Sequence, residues 1–295
     1  VWFLEIAGEN LPSHFQGHQV LRISEPNSRK LQNRQVALSE ALFKHGFPAP
    51  IIYWHGELHG YPAQLQQRLP GHQAIVMLGT FKLRSVIRSL GSLQATLHNL
   101  PAPEFDLPVF TAEDFLKNDL EARLLRSNIA DPSGTIEWLR DNLSKISTPS
   151  EDSFVLCHGD FHPLNALVSD EGQIGMVDWD DACIGDRHHD VGRTMATYWF
   201  GSLLAENSIQ RLALRLSMNW IEKLHLRAYE EKAELRLEGH QIRWWQVAHL
   251  FRFWLQILEL RNGKAIALES TTTSSIPSDL GEQILKRCLD LLSKD

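Results

Sequence analysis

The chain has 295 residues, of which 43% are hydrophobic and 22% are charged, a composition typical of a globular protein with a sizeable core. Its formal net charge of −7 argues against nucleic acid as the main partner, because phosphate contacts require a basic surface. Three cysteines without metal-type spacing favour free thiols and a reducing compartment, and no apolar run is long enough to span a membrane. We therefore expect a cytoplasmic protein with no membrane partner; monomer and homodimer both remain open.

Residues 1–71 have the pattern of a small strand-rich lobe. Their apolar and β-branched runs predict four strands, at residues 1–6, 18–24, 48–58 and 61–69. Residues 7–17 are predicted to form a turn. An amphipathic helix is predicted over residues 29–45, ending at Gly46. A Pro-Gly pair at Gly71 marks the hinge to the next lobe.

Residues 72–295 are predominantly helical in pattern. The spacing of apolar residues predicts helices at residues 84–100, 111–128, 135–146 and from Gly185 to the C-terminus. Two short apolar runs, at residues 154–157 and 174–178, predict strands that form a hairpin inserted among the helices. The fold class is therefore α+β, with a small β-rich lobe followed by a larger helical lobe.

The stretch "VLCHGDFHPLNALV", residues 155–168, is apolar at both ends and polar in the middle. Polar side chains at the edge of a core are costly to desolvate unless they have partners or a function. Asp160 and Asn165 lie five positions apart here, and Asp178 follows the second apolar run in "VDWDDA". Phosphoryl transfer uses such a set: one carboxylate orients the acceptor hydroxyl, while an amide and a second carboxylate hold magnesium.

The motifs "HGDFHPLN" and "VDWDDACIGDRHHDVGRT" resemble those of the aminoglycoside phosphotransferase and choline kinase-like family, small-molecule kinases with a protein-kinase-like fold. The resemblance implies a bilobal architecture, ATP or GTP as co-substrate and Mg²⁺ as cofactor. It also implies Asp160 as the catalytic base and Asn165 and Asp178 as the magnesium ligands. His158 and Asp190 match residues that brace the catalytic loop in this family.

The small lobe departs from the kinase pattern at two positions. In kinases a strand lysine holds the nucleotide phosphates and pairs with a glutamate of the next helix. The matching positions here are Arg22 in "VLRIS" and Gln35 in "NRQVAL", so we expect a hydrogen bond in place of an ion pair. Gln67 and Leu69 are the candidates for adenine contacts at the hinge. The phosphate-covering hairpin is expected to precede Val1, as if the numbering were truncated.

The acceptor side is predicted from charge. Residues 1–75 carry 6 basic and 5 acidic side chains, whereas residues 76–295 carry 23 basic and 31 acidic ones. Asp180, Asp181 and Asp186 follow the metal-site motif, and aromatic helices come after them. Such a cleft favours a cationic or amino-bearing acceptor with apolar surface, for example an antibiotic or an amino alcohol.

Two other functions remain open at this point. A catalytically weak nucleotide-binding pseudokinase is suggested by Arg22 and Gln35 and opposed by the complete catalytic motif. A protein kinase is disfavoured because the chain contains no Asp-Phe-Gly motif. We also predict that Arg193, three residues after Asp190, forms a helix ion pair with it.

Overall fold

The computed structural model describes residues 1–6, 16–79, 82–103, 105–146, 154–203, 208–261 and 279–293. The strands of these residues are β1 (Trp2–Ile6), β2 (Gly17–Ile23), β3 (Ile52–Leu58), β4 (Tyr61–Gln67), β5 (His72–Gln73), β6 (Val109–Phe110), β7 (Val155–Cys157), β8 (Ala166–Val168), β9 (Ile174–Met176) and β10 (Cys183–Gly185). The helices are α1 (Arg29–Lys44), α2 (Leu83–His98), α3 (Ala112–Asp114), α4 (Ala122–Ser127), α5 (Thr135–Asn142), α6 (Arg187–Leu203), α7 (Ser208–Ala233), α8 (Gly239–Arg261) and α9 (Leu280–Leu292). A π-helical segment, Phe115–Glu121, joins α3 to α4.

The N-terminal part is an antiparallel sheet with strand order β1-β2-β4-β3, covered by α1. Leu38 and Leu42 of α1 are buried against the sheet, and the side-chain amide of Gln32 donates to the carbonyl of Ala63 at 2.7 Å. All four predicted strands and the predicted helix are present. Residues 7–15 of the predicted turn lie outside the described residues.

Two small sheets lie among the helices where one hairpin was predicted. In one sheet β10 pairs with β7 and β6; in the other β8 pairs with β9 and β5. The strands β7 and β9 therefore do not form a hairpin with each other. The strands β5 and β6 have two residues each, too few to show a periodic pattern. As a consequence, the loop after β7 crosses from one sheet to the other.

The large core is helical, with α2 packed along α7, α6 along α8, and α8 along α9. Helix α8 is surrounded by other elements, and its Trp244, Trp245, Phe251 and Trp254 are buried, as expected for the aromatic C-terminal helices. Trp220 of α7 is an exception, with 46% of its surface exposed. Of the helices in the described ranges, none has the length and apolarity to cross a membrane. The fold is α+β, with a small β-rich part followed by a larger helical part, as predicted.

Helices α2 and α7 lie close together at Gly91. A Cβ atom at this position would lie 2.3 Å from the carbonyl oxygen of His225, a backbone atom that cannot rotate away. The absence of a side chain at Gly91 therefore sets the distance between the two helices. That distance matters for the site, because both helices contribute side chains beneath the catalytic loop.

We predict that Gly91→Ala lowers the free energy of unfolding by about 1–3 kcal/mol, the usual cost of overpacking a core. Chemical denaturation at constant temperature measures the change. Gly201→Ala is the matched control, since Gly201 also lies in a helix but has no atom within 4 Å of its added Cβ. The control should be as stable as the wild type or slightly more stable. Equal stability of Gly91→Ala and wild type would contradict the close approach.

Candidate active site

Two loops form the centre of the site, one between β7 and β8 and one between β9 and β10. The imidazole of His158 connects them: its Nε2–H donates to the carbonyl of Val177 at 3.1 Å, and its Nδ1 accepts from the N–H of Asp160 at 3.3 Å. Burial lowers the pKa of His158, so the neutral ring that this pattern requires is favoured. The backbone N–H of Val177 also donates to the carbonyl of Asn165 at 2.8 Å.

Gly159 allows the two loops to touch through their backbones. Its φ of +78° lies in the left-handed region, and a Cβ atom there would be 2.1 Å from the carbonyl oxygen of Asp181. Any larger residue would push the loops apart. The predicted catalytic and metal-binding motifs are therefore in direct contact.

The carboxylate of Asp160 is held by three side chains. Its Oδ1 accepts two hydrogen bonds from Arg193, from Nε at 3.1 Å and from Nη2 at 2.9 Å. Its Oδ2 accepts from Nε2 of His162 at 3.0 Å and from Nδ2 of Asn165 at 3.3 Å. Burial alone would raise the pKa of Asp160, but Arg193 and His162 hold it well below its usual range. Asp160 is therefore an oriented anion, with 25% of its side chain exposed.

The predicted ion pair between Arg193 and Asp190 is wrong. Although the two residues are three apart on α6, Arg193 reaches Asp160 and stacks over Phe253, with its guanidinium carbon 4.8 Å from the ring centroid. The carboxylate of Asp190 instead accepts hydrogen bonds from Gln94 and His98 of α2. Sequence spacing allowed the helix pair, but the catalytic loop offers Arg193 a two-bond carboxylate contact that a neighbour on the same helix does not.

Asn165 and Asp178 have the chemistry of a magnesium site. They lie on the two touching loops, and both offer hard oxygen atoms. The amide nitrogen of Asn165 donates to the carbonyl oxygen of Asp160 at 3.1 Å, which turns its oxygen away from that contact. The side chain of Asp178 is 43% exposed, and its backbone φ is +65°. These residues therefore fit a divalent cation that keeps several water ligands.

Arg22 and Gln35 both contact a residue that was predicted for the acceptor side. Instead of pairing with each other, Nη2 of Arg22 and Nε2 of Gln35 each donate to the carboxylate of Asp180. Nη1 of Arg22 also lies 3.6 Å from Oδ1 of Asp178. Arg22, Gln35 and Asp178 border a cleft between the N-terminal sheet, α1 and Trp179. Asp180 therefore faces the residues that were predicted to bind the nucleotide.

The other predicted residues are more dispersed. Asp181 is exposed, whereas Asp186 is buried and accepts hydrogen bonds from the backbone N–H of His188 at 2.9 Å and its Nδ1 at 2.7 Å. Asp186 thus holds the start of α6 rather than lining an open cleft. The backbone N–H of Gln67 donates to Ile51 at 2.8 Å and is not available for adenine. Leu69 follows the end of β4.

Asp190 is the centre of a buried polar network beneath the catalytic loop. Its Oδ1 accepts from the backbone N–H of Gly159 at 2.7 Å. Its Oδ2 accepts from Nε2 of Gln94 at 2.9 Å and from Nε2 of His98 at 3.0 Å. Burial by itself would raise the pKa of Asp190, yet His98 and Gln94 hold it well below its usual range. Asp190 is therefore a fully buried anion that fixes the catalytic loop.

A second layer of donors keeps the partners of Asp190 in place. Nδ1 of His98 accepts from the hydroxyl of Tyr229 at 2.7 Å, and Nε2 of His225 donates to the side-chain oxygen of Gln94 at 2.8 Å. The hydroxyl of Tyr198 in turn donates to Nδ1 of His225 at 3.0 Å. Burial lowers the pKa of His98 and lowers that of His225 to about 3, so both rings are neutral.

The sequence analysis did not find this network. A signal was present in α2, where Gln94 and His98 are four residues apart and lie within an otherwise apolar stripe. A polar pair of that kind on a buried face requires partners elsewhere. Those partners are contributed by α6 and α7, and nothing in the local pattern of α2 identifies them.

We predict that Asp190→Asn lowers the free energy of unfolding by about 3 kcal/mol near neutral pH, because an amide cannot accept from all three donors. The folded-state pKa of Asp190 is depressed, so its stabilising contribution is complete above the unfolded pKa of about 3.9 and declines as the pH falls. Denaturation curves at a series of pH values should therefore show the difference from wild type narrowing below about pH 4. Asp141→Asn, an exposed position on α5, is the control and should show no such difference.

A difference between Asp190→Asn and wild type that persists unchanged at acid pH would show that the charge of Asp190 contributes nothing. The network would then act through shape alone.

The geometry can be compared with known proteins. The sequence profile of the family described as "Phosphotransferase enzyme family" matches residues 10–250. An aminoglycoside 3'-phosphotransferase of Streptomyces fradiae is 24% identical over 192 residues, covering 58% of this chain and 69% of the relative.

Two solved structures show the same fold at low sequence identity. Choline kinase LicA of Streptococcus pneumoniae superposes with a TM-score of 0.63 at 12% identity, covering 100% of this chain and 94% of that one. Aminoglycoside phosphotransferase APH(3'')-Id of Streptomyces rimosus, in complex with ADP and streptomycin, gives a TM-score of 0.58 at 14% identity, covering 80% and 86%. The family match extends over most of the chain and over both loops of the site. The chain therefore belongs to the phosphotransferase enzyme family and is a phosphotransferase with an alcohol group as acceptor.

Proposed function

We propose that the protein is a small-molecule kinase that transfers the γ-phosphoryl group of ATP or GTP to a hydroxyl of an antibiotic-like or amino-bearing metabolite. The observation that carries the proposal is the oriented carboxylate of Asp160 beside Asn165, on a loop in direct contact with the loop of Asp178. In this proposal residues 1–71 bind the nucleotide, and residues 72–295 hold the catalytic loop and the acceptor.

Asp160 would act on the acceptor hydroxyl. Its carboxylate accepts a hydrogen bond from that hydroxyl and takes the proton as the oxygen bonds to phosphorus. Because Arg193 and His162 lower the pKa of Asp160, the carboxylate is a weak base towards a free alcohol. Its main contribution is then to point the hydroxyl oxygen at the phosphorus atom, with proton transfer following as the hydroxyl becomes acidic.

Asn165 and Asp178 would hold Mg²⁺ through their side-chain oxygens. Bound magnesium supplies positive charge that offsets the charge of the nucleotide phosphates. Arg22 lies within reach of the same region, since its Nη1 is 3.6 Å from Oδ1 of Asp178. Arg22 would contact the phosphates directly. A nucleotide co-substrate is supported by the relative from Streptomyces rimosus, which was crystallised with ADP.

The acceptor class is supported by charge and by the relatives. The relatives include a choline kinase and an enzyme in complex with streptomycin. Choline and streptomycin are both cationic, and both carry hydroxyl groups. The acidic balance of residues 76–295 favours the same class. The contact of Asp180 with Arg22 removes this carboxylate from the acceptor side, so Asp181 is the remaining exposed acidic candidate there.

The pseudokinase alternative loses its main argument. It depended on Arg22 lacking an ionic partner, because position 35 is glutamine. The structure supplies that partner from a different element, since Arg22 contacts the carboxylate of Asp180. The predicted weakness of the phosphate clamp therefore has no basis in the geometry.

We predict that Asp160→Asn lowers turnover by at least about a hundredfold while nucleotide affinity changes little. A thermal-shift screen of hydroxylated antibiotics and amino alcohols, with magnesium and a non-hydrolysable nucleotide, identifies the acceptor for the assay. ADP or GDP release then measures turnover. Asp170→Asn, an exposed position in the β8–β9 turn, is the control and should retain full activity. Unchanged turnover of Asp160→Asn would exclude the proposed role.

The magnesium assignment leads to a separate prediction. Asp178→Asn should weaken magnesium-dependent nucleotide binding by about tenfold or more, because a charged ligand is lost. Asparagine is preferred to alanine for this test, since asparagine tolerates the left-handed backbone at position 178. Calorimetric titration of the nucleotide with and without Mg²⁺ measures the effect. If the variant keeps the wild-type difference between the two titrations, Asp178 is not a ligand.

A further inference from the structure

The carboxylate of Asp180 receives one donor on each oxygen. Oδ2 accepts from Nη2 of Arg22, and Oδ1 accepts from Nε2 of Gln35. The donors come from β2 and α1, whereas Asp180 lies in the loop between β9 and β10. Arg22 and Gln35 are 158 and 145 positions away from Asp180 in the sequence, and both donate to its side chain.

We propose that Asp180 is the residue that positions Arg22 for the nucleotide phosphates, and that Gln35 is glutamine because Asp180 already supplies the negative charge. This inference rests on the proposed kinase function. It assigns Asp180 a positioning role through Arg22 rather than a contact with the acceptor. The two departures in the small lobe then have one explanation: the carboxylate partner of the phosphate clamp stands on the metal-site loop instead of on α1.

Burial and charge support this arrangement. Gln35 is 7% exposed, and the side chains of Arg22 and Asp180 are 21% and 30% exposed. At such sites charges are screened less than on an open surface. A glutamate at position 35 would place a second carboxylate against Oδ1 of Asp180, where the amide of Gln35 now donates. Two carboxylates at hydrogen-bond distance repel each other unless one binds a proton.

The position of Asp180 gives the contact a functional consequence. Asp180 is two residues after Asp178, whose Oδ1 lies 3.6 Å from Nη1 of Arg22. The loop that offers the metal ligand therefore also sets the direction of the phosphate-binding guanidinium. Displacement of this loop would move Asp178 and release Arg22 together.

A charge exchange tests the proposal. Asp180→Asn should weaken ADP or GDP binding by about tenfold, because Arg22 loses its carboxylate partner. Gln35→Glu should weaken it by a similar factor through repulsion of Asp180. The double variant Gln35→Glu/Asp180→Asn moves the carboxylate from the loop to α1 and should return the affinity to within about threefold of wild type. Asp170→Asn is the matched control and should equal wild type.

A second readout separates positioning from a general effect on the fold. Adenosine and guanosine, measured as competitors of the diphosphate, have no phosphates for Arg22 to contact. Their affinities should stay within about twofold of wild type in every variant, so that the loss is confined to the phosphates. Thermal unfolding shows whether each variant is folded. Should Asp180→Asn fail to fold, the comparison of Gln35→Glu with the double variant decides, because rescue requires the exchanged charge.

Three results would overturn the inference alone. These are unchanged diphosphate affinity in Asp180→Asn, a double variant that binds no better than Gln35→Glu, and a nucleoside affinity that falls in parallel with the diphosphate affinity. Wild-type protein that binds neither ADP nor GDP would instead overturn the proposed function, and this inference with it. The two failures are therefore distinguishable in the same set of titrations.

Discussion

The site depends on a single buried negative charge. Asp190, with none of its side chain exposed, accepts hydrogen bonds from the catalytic loop at Gly159 and from two side chains of α2. An unpaired carboxylate in a core would take up a proton, and these donors together keep Asp190 anionic. The catalytic loop is thus attached to the helical core through a charge, and the helix positions determine where Asp160 stands.

The two central carboxylates are kept ionised in different ways. Asp160 faces a permanent cation, Arg193, together with His162 and Asn165, whereas the direct partners of Asp190 are a backbone amide, Gln94 and a neutral His98. His98, His158 and His225 do not gain charge near neutral pH, because burial lowers the pKa of each.

The sequence was sufficient for the fold class, the larger elements and the two loop motifs, because these follow from local periodicity and from residue types at fixed spacing. It was not sufficient for partners that are set by packing between distant elements. Arg193 has a plausible partner on its own helix and uses a different one. Asp180 was predicted for the acceptor side, whereas its contacts with Arg22 and Gln35 come from the N-terminal sheet and α1, which no local pattern indicates. The two-residue strands were missed since pairing, not pattern, defines them.

The left-handed backbone of Asp178 restricts how this position can diverge during evolution. Glycine, asparagine and aspartate adopt its φ of +65° readily, whereas other residues are strained there. Among these three, aspartate alone brings a formal negative charge to the cleft. Glutamate, the usual conservative replacement, would keep the charge at the cost of backbone strain and a longer reach. A lineage that loses this carboxylate therefore has few routes by which another side chain at the same position could restore it.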